Sequence, residues 1–209
     1  VGADYSLYLV ADADYAAGRD LVALSEAAVE GGVTIVQFRA KRLPPGAFVE
    51  LGGALARRLA ARGVPLLVND RVDLARACGA VGVHLGQDDL PVAEARRLLG
   101  PGATVGVSVS TPEEARRAER DGADYVGAGP AYATSTKSTS LAVLGPEGIG
   151  RIVKATSLAV VAIGGIDPSN AAALAAAGAR GIAVVSAILG APDARRAASD
   201  LCQAFTRGR

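Results

Sequence analysis

Short β-branched runs alternate with Ala-, Arg- and Glu-rich runs from one end of the chain to the other, and that alternation leaves few folds open. Strands are expected at 7–11, 34–39, 66–69, 82–85, 104–108, 125–129, 159–163 and 181–185. Between and after them, helices are expected at 21–30, 48–62, 72–77, 92–99, 112–121, 146–154, 168–177 and 193–205. Each strand is too apolar to face water, so both faces of the sheet need cover, as in parallel sheets flanked by helices. Hydrophobic content is 50% but aromatics only 4%, so the core must be built from Ala, Val, Leu and Ile. Eight successive strand–helix pairs define an α/β chain that closes into a (β/α)8 TIM barrel. An open doubly wound sheet is the weaker alternative, because no Gly-x-Gly-x-x-Gly follows the first strand. With 209 residues and no Pro/Ser-rich linker or charge block, residues 1–209 read as a single barrel domain.

The signals at helix ends agree with this reading. Thr111 precedes Pro112 with Glu114 at the capping-box position, and Asp167 precedes Pro168. The segments Glu30-Gly31-Gly32, Asp121-Gly122 and Ala177-Gly178 place glycine just beyond helices, where a left-handed cap is wanted.

Charge narrows the function classes. The 22 Lys and Arg nearly balance the 21 Asp and Glu, so no global basic field exists for nucleic acid or a membrane surface. Any anion site must be local, and the expected partners are small molecules. Cys78 and Cys202 lack a CxxC spacing and read as reduced structural thiols. A single histidine, His84, gives little material for a His-based zinc site or a Ser-His-Asp triad. No stretch reaches the roughly 18 apolar residues of a membrane span, and the first residues lack signal-peptide character. The cytoplasm is the expected compartment, and the sequence is compatible with a homo-oligomer.

In such a barrel, chemistry sits where strands end and the loops to helices begin. Those positions carry Gln37, Arg39 and Lys41, then Asn69 and Asp70, then Gln87, Asp88 and Asp89. Ser108 ends strand 5, Thr134, Ser135, Thr136 and Lys137 follow strand 6, Gly164 and Gly165 follow strand 7, and Val185 and Ser186 follow strand 8. Singly, each has a structural explanation. Arg39 and Lys41 suit solvated loop cations, Asp70 and Asp89 suit helix N-caps, and His84 suits a packed, hydrogen-bonded histidine. Alternation, however, points Gln37 and Arg39 to the same side.

Two phosphate sites emerge. An acid pair beside Arg39, Lys41 and Lys137 resembles a Mg²⁺ site for a diphosphate, since Mg²⁺ takes one or two carboxylates and completes its shell with phosphate oxygens and water. Asp70 is one acid; spacing alone does not choose between Asp88 and Asp89 for the other. The hydroxyls of Thr134, Ser135 and Thr136, with Gly165 and the Val185–Ser186 turn, offer neutral donors for a monophosphate. A diphosphate among cations, with no evident nucleophile or general base, points to leaving-group activation.

Taken in order, the motifs VQFRAK (36–41), VND (68–70), GVHLGQDD (82–89), GVS (106–108), YVGAGP (125–130), TSTK (134–137), AIGGI (162–166) and VVSAI (184–188) resemble the thiamine phosphate synthase family. The resemblance runs from Tyr8 to Phe205. It implies a transferase in which hydroxymethylpyrimidine diphosphate loses pyrophosphate and the resulting pyrimidine cation is captured by the ring nitrogen of hydroxyethylthiazole phosphate. It further implies that Gln37, Phe38, Arg39, Ala40, Lys41, Asn69, Ser108 and Lys137 hold the pyrimidine diphosphate, with Lys137, Arg39 and Ser108 as the catalytic set. Asp70 and Asp89 would hold one Mg²⁺ per subunit, which selects Asp89 over Asp88. Thr134, Ser135, Thr136, Gly165, Val185 and Ser186 would hold the thiazole phosphate. Two positions depart from the family pattern. Ser110 stands where a histidine is usual, a residue thought to carry proton transfer in the related thiazole tautomerases. Ala133 stands where proline is often seen, within a 131–145 loop whose Gly, Ser and Thr content suggests a mobile lid. The alternatives are a thiazole tautomerase and a non-catalytic phosphate-ligand-binding barrel.

Overall fold

A computed structural model describes residues 3–134, 136 and 141–209. The strands are β1 (Leu7–Asp12), β2 (Ile35–Arg39), β3 (Leu66–Asn69), β4 (Gly82–Leu85), β5 (Thr104–Val109), β6 (Tyr125–Ala128), β7 (Ala159–Ile163) and β8 (Gly181–Val184). All pair in parallel in sequence order, and β8 returns to β1 through Leu7↔Ile182, Tyr8↔Ala183 and Leu9↔Val184. The sheet is therefore a closed barrel, as the alternation required. The helices are α1 (Leu21–Glu30), α2 (Pro45–Ala60), α3 (Val72–Ala75), α4 (Val92–Leu99), α5 (Pro112–Arg120), α6 (Gly145–Val153), α7 (Ala171–Ala176), α8 (Ser186–Leu189) and α9 (Ala194–Thr206).

Two helix starts differ from expectation by three residues, and one short helix is additional, each for a local reason. Helix α2 starts at Pro45 rather than residue 48, because a proline at the first helical position gives up only an orphan N–H. Helix α7 starts at Ala171 rather than 168. Asp167 instead accepts hydrogen bonds from the Ser169 amide (2.7 Å) and hydroxyl, closing a turn ahead of the helix. The one-turn α8, too short to show a period, was not anticipated. Elsewhere the cap chemistry holds. Thr111 accepts from the Glu114 amide (3.1 Å), while Glu114 reaches back to the Ser110 amide (2.6 Å). Gly32, Gly122 and Gly178 all have positive φ.

The apolar residues fall into two layers. Leu7, Leu9, Ala11, Val36, Phe38, Val68 and Val126 point outward against the helices. Phe38 is fully buried there, its ring 4.6 Å from that of Phe48 on α2. Tyr5, Tyr8, Val10, Ile35, Leu67, Tyr125, Val161 and Ala183 fill the barrel interior. Three of the chain's five tyrosines are thus inside the barrel. They fit because neighbouring strands carry glycine. A Cβ on Gly106 would lie 2.1 Å from Tyr125 Cζ, so the Tyr125 ring occupies the space a side chain at 106 would need.

Cys78 and Cys202 are free thiols, as expected. Among the described residues, no helix is long and apolar enough to cross a membrane.

Two outcomes follow from this packing. Phe38→Ala should destabilise the fold by about 3–5 kcal/mol, the range for truncating a buried phenylalanine, as read by urea unfolding. The tyrosines set an alkaline limit. Burial, with Asp124 adding, pushes the Tyr5 hydroxyl up to about 12, and burial also drives the Tyr8 and Tyr125 hydroxyls up. An unfolded tyrosine titrates near about 10. The folded state therefore holds these protons more tightly, and their contribution is fully present below about pH 10 and lost as pH rises above it. Unfolding free energy should begin to decline near about pH 8.5, where the Cys78 and Cys202 thiols ionise in the unfolded chain while burial holds their protons in the folded one. It should fall further above about pH 10, where Tyr5→Phe should make the fall shallower.

Candidate active site

Inward-facing residues at the C-terminal strand ends line a cavity of about 530 Å³. Its wall is built strand by strand from Asp12, Gln37 and Arg39, Asn69, His84, Ser108, Gly127, Ile163, and Val185 with Ser186. Thr134, Thr136, Gly164 and Gly165 close one side. The alternation in β2 does place Gln37 and Arg39 on one face, and both reach the cavity. Phe38 does not. Its side chain and that of Ala40 pack in the outer layer, so only their backbone is available to a ligand.

Arg39 is aimed by a residue the sequence reading passed over. Asp12, at the end of β1, is 3% exposed and forms an ion pair with the Arg39 guanidinium. Its other oxygen accepts from the Asp14 and Tyr15 amides at 2.9 and 3.0 Å. A carboxylate this buried is tolerated because every acceptor site has a partner. The signal was present: Tyr8, Val10 and Asp12 share one phase of the strand alternation. Asp14 similarly accepts from the Lys41 amide (3.0 Å) and the Arg42 guanidinium (3.0 Å), holding the loop after β2 against that after β1.

The two acids implied as metal ligands meet. Asp70 adopts φ 58°, a left-handed conformation that few residues other than glycine and Asx take readily. Its amide donates to the His84 carbonyl at 2.9 Å, fixing the end of β3 to β4. The Asp70 carboxyl is hydrogen-bonded with Asp89 and ion-paired with Lys41. Asp88, exposed, is not part of this contact and lines the cavity instead. Asp89 is not a helix N-cap; it accepts from the Gly86 amide at 2.7 Å within its own turn, and the cap of α4 is Pro91. Burial raises the Asp70 carboxyl, but its hydrogen bonds with Asp89 and Lys41 outweigh that and hold it below the usual range. Burial and the facing Asp70 push Asp89 up. Opposite shifts of this kind are the behaviour of a close acid pair, and a cation standing between the two would favour the ionised form of both. That donor chemistry fits a hard divalent ion such as Mg²⁺. Among the described residues no third His, Cys, Asp or Glu joins the pair, so substrate oxygens and water would supply the remaining ligands.

His84 is hydrogen-bonded, as expected, but on the cavity wall rather than in closed core. Its Nδ1 lies 2.8 Å from the Tyr125 hydroxyl and its Nε2 2.9 Å from Ser108 Oγ. Gln87 bonds the Ser108 carbonyl (2.6 Å) and meets Arg117, bracing the same strand end.

On the opposite side, Gly164 and Gly165 have φ 104° and 63°, and a Cβ on Gly165 would lie 2.3 Å from the Ala133 carbonyl oxygen. Glycine at 165 thus lets the loop after β6 lie directly on the loop after β7. Thr136 Oγ1 lies 3.5 Å from Ser186 Oγ, so hydroxyls from β6 and β8 converge there. Ser135 and Lys137 lie outside the described residues, as does part of the 131–145 loop.

Comparison with known proteins agrees with the geometry. A family model described as thiamine monophosphate synthase matches residues 7–188. The thiamine-phosphate synthase of Moorella thermoacetica is 45% identical over 205 residues, covering 98% of both chains. That of Chloroflexus aurantiacus is 49% identical over 198 residues, covering 95% of this chain and 91% of its own. Among solved structures, thiamine phosphate pyrophosphorylase from Pyrococcus furiosus superposes with a TM-score of 0.88 at 37% identity, covering 98% and 96% of the two chains. Orotidine 5′-phosphate decarboxylase from Pyrococcus horikoshii, at 17% identity and a TM-score of 0.71, shares the fold alone. The family match takes in every strand of the barrel and every residue of the cavity wall described above, and the chain belongs to the thiamine monophosphate synthase family.

Proposed function

We propose that this barrel joins hydroxymethylpyrimidine diphosphate to hydroxyethylthiazole phosphate, giving thiamine phosphate and pyrophosphate. The observation that carries this reading is one cavity with two unlike anion-complementary sides. Arg39, Asn69 and Ser108 stand on one side, and Thr134, Thr136, Gly165 and Ser186 on the other. The cationic side suits a multiply charged diphosphate, and the neutral hydroxyl and turn side suits a monophosphate.

The chain's residues divide the work between leaving group and nucleophile. Arg39, held by Asp12, presents its guanidinium to diphosphate oxygens, whose charge grows as the carbon–oxygen bond breaks and the electron pair leaves with pyrophosphate. Lys41 currently neutralises Asp70 and is free to turn to phosphate when a stronger cation takes its place. Lys137 would add a second amine from the loop after β6. Asp70 and Asp89 would hold one Mg²⁺, which supplies charge neutralisation for the departing diphosphate. The thiazole phosphate, anchored by Thr134, Ser135, Thr136, Gly165, Val185 and Ser186, brings its ring nitrogen to the methyl carbon from which pyrophosphate departs. The nitrogen lone pair forms the new C–N bond, so no protein nucleophile is needed. The apolar walls of Val161, Ile163 and Ala183 keep water from competing for the cation.

Ser110 weighs against tautomerase chemistry. Its amide and hydroxyl are both bound by Glu114, at 2.6 and 3.0 Å, so the position serves the start of α5 and offers no imidazole for proton transfer.

Pyrophosphate release from the two substrates tests the proposal. Wild type should release it only with both substrates and Mg²⁺ present. Asp70→Ala or Lys137→Ala should lower the rate by about 10²–10³-fold while circular dichroism still reports a folded barrel. Full turnover by either variant rejects these site assignments. Asp12→Asn keeps the shape but removes the charge that aims Arg39. A lost charge-assisted hydrogen bond is worth about 1.5–3 kcal/mol, so kcat/KM for the diphosphate should fall by about 10–100-fold, with KM for the thiazole phosphate little changed.

A further inference from the structure

A continuous chain of hydrogen bonds runs through the barrel interior to the cavity wall. Gln37 Nε2 donates to Tyr8 Oη at 2.8 Å, and Tyr8 Oη lies 2.8 Å from Tyr125 Oη. Tyr125 Oη lies 2.8 Å from His84 Nδ1, and His84 Nε2 lies 2.9 Å from Ser108 Oγ. Every link is short, and Tyr8 and Tyr125 are 1% and 0% exposed, so no water competes for their hydroxyls.

Each hydroxyl has one proton, so such a chain has only two self-consistent senses. The Gln37 amide selects between them. Because its N–H donates to Tyr8, the Tyr8 proton must go to Tyr125, and the Tyr125 proton must go to His84 Nδ1. A neutral imidazole accepting at Nδ1 carries its proton on Nε2. That proton goes to Ser108 Oγ, which leaves the serine's own proton to be donated into the cavity that Ser108 lines. The barrel makes room for this course at two glycines. A Cβ on Gly106 would collide with the Tyr125 ring, and a Cβ on Gly127 would lie 2.9 Å from His84 Cε1.

We propose that Tyr8 and Tyr125 are positioning residues that lock His84 in its Nε2–H tautomer and thereby turn the Ser108 hydroxyl proton toward the ligand. Ser108 then acts as an obligate donor and selects an acceptor atom on the bound substrate. In the synthase reading, on which this last step rests, that atom is a pyrimidine ring nitrogen or a diphosphate oxygen. The tautomer itself is a property of the free protein and does not depend on that reading.

The chain has one histidine, so nitrogen NMR of the full-length, histidine-labelled protein without substrates gives one unambiguous pair of ring signals. At pH 8 the expected pattern is a protonated Nε2 and an unprotonated Nδ1. Tyr125→Phe removes the donor to Nδ1 and should shift the tautomer ratio by about tenfold or more toward Nδ1–H. Tyr8→Phe keeps the Tyr125–His84 contact but removes the direction imposed on it, and should give a mixture. Tyr125→Phe should also lower kcat for pyrophosphate release by about tenfold with KM for the thiazole phosphate unchanged. A wild-type Nδ1–H tautomer, an imidazolium, or a ratio unmoved in whichever of the two variants folds would overturn the proposal. A correct tautomer response without any pyrophosphate release would instead reject the synthase reading and leave the lock standing.

Discussion

Closure of β8 onto β1 is the contact from which the site's geometry follows. A parallel strand buried on both faces must be paired along both edges, and in an open sheet the two outer strands would remain exposed. The pairs Leu7↔Ile182 through Leu9↔Val184 remove both edges at once. They also place Asp12, at the end of β1, on the same rim as Val185 and Ser186 beyond β8. Residues separated by most of the chain thereby face one another across 530 Å³ of cavity. Because strand side chains alternate, closing the ring decides for every position whether it packs under a helix or faces the interior.

That decision explains the division of labour within single motifs. In VQFRAK, the outward residues Val36, Phe38 and Ala40 anchor β2 beneath α2, while Gln37 and Arg39 face the cavity. The motif is therefore as much a packing device as a binding one. The electrostatics are similarly layered. Asp12 neutralises and orients Arg39 from the adjoining strand, where the two are register partners, and Lys41 neutralises Asp70. Arg39 and Lys41 thus each have an acidic partner, so the described part of the rim is not a bare patch of positive charge. The close Asp70–Asp89 pair carries the opposite tension, one carboxyl lowered and the other raised. A divalent ion would relieve it and release Lys41 together.

The barrel was legible because its signal is redundant: all eight strands were located to within a residue or two at each end. Errors came where one local contact overrode the pattern, as when the Asp167–Ser169 turn delayed α7. The rim residues of β2, β3, β5 and β7 were legible because strand ends are short and polar residues there stand out. What the sequence hid was partnership. Taken singly, Asp89 suited a cap, since it precedes Leu-Pro, and only the family resemblance joined it to Asp70; the folded loops show it returning to the Gly86 amide. Phe38 was carried into the site with its motif although its strand phase already pointed outward. Asp12 escaped notice because it lies just past the strand expected at 7–11, and the interior tyrosines because each reads as part of an apolar strand; their partners lie 27 to 117 residues away.

The interior tyrosines also account for the polar character of the cavity floor. A barrel this poor in aromatics could have filled its centre with Val, Ile and Leu, as such barrels commonly do. Instead, Gly106 and Gly127 leave gaps that Tyr125 and His84 occupy, with hydroxyl and imidazole atoms aligned between Gln37 and Ser108. Buried polar atoms are costly unless each is bonded, and no described buried side-chain nitrogen or oxygen lacks a partner. A fully bonded chain has little freedom to reorient, because turning one hydroxyl requires turning all of them. Glycine at two strand positions thus converts a space-filling problem into a fixed array of dipoles beneath the cavity. Preorganised dipoles of this kind cost no reorganisation when charge develops above them, as it would in the proposed departure of a leaving group.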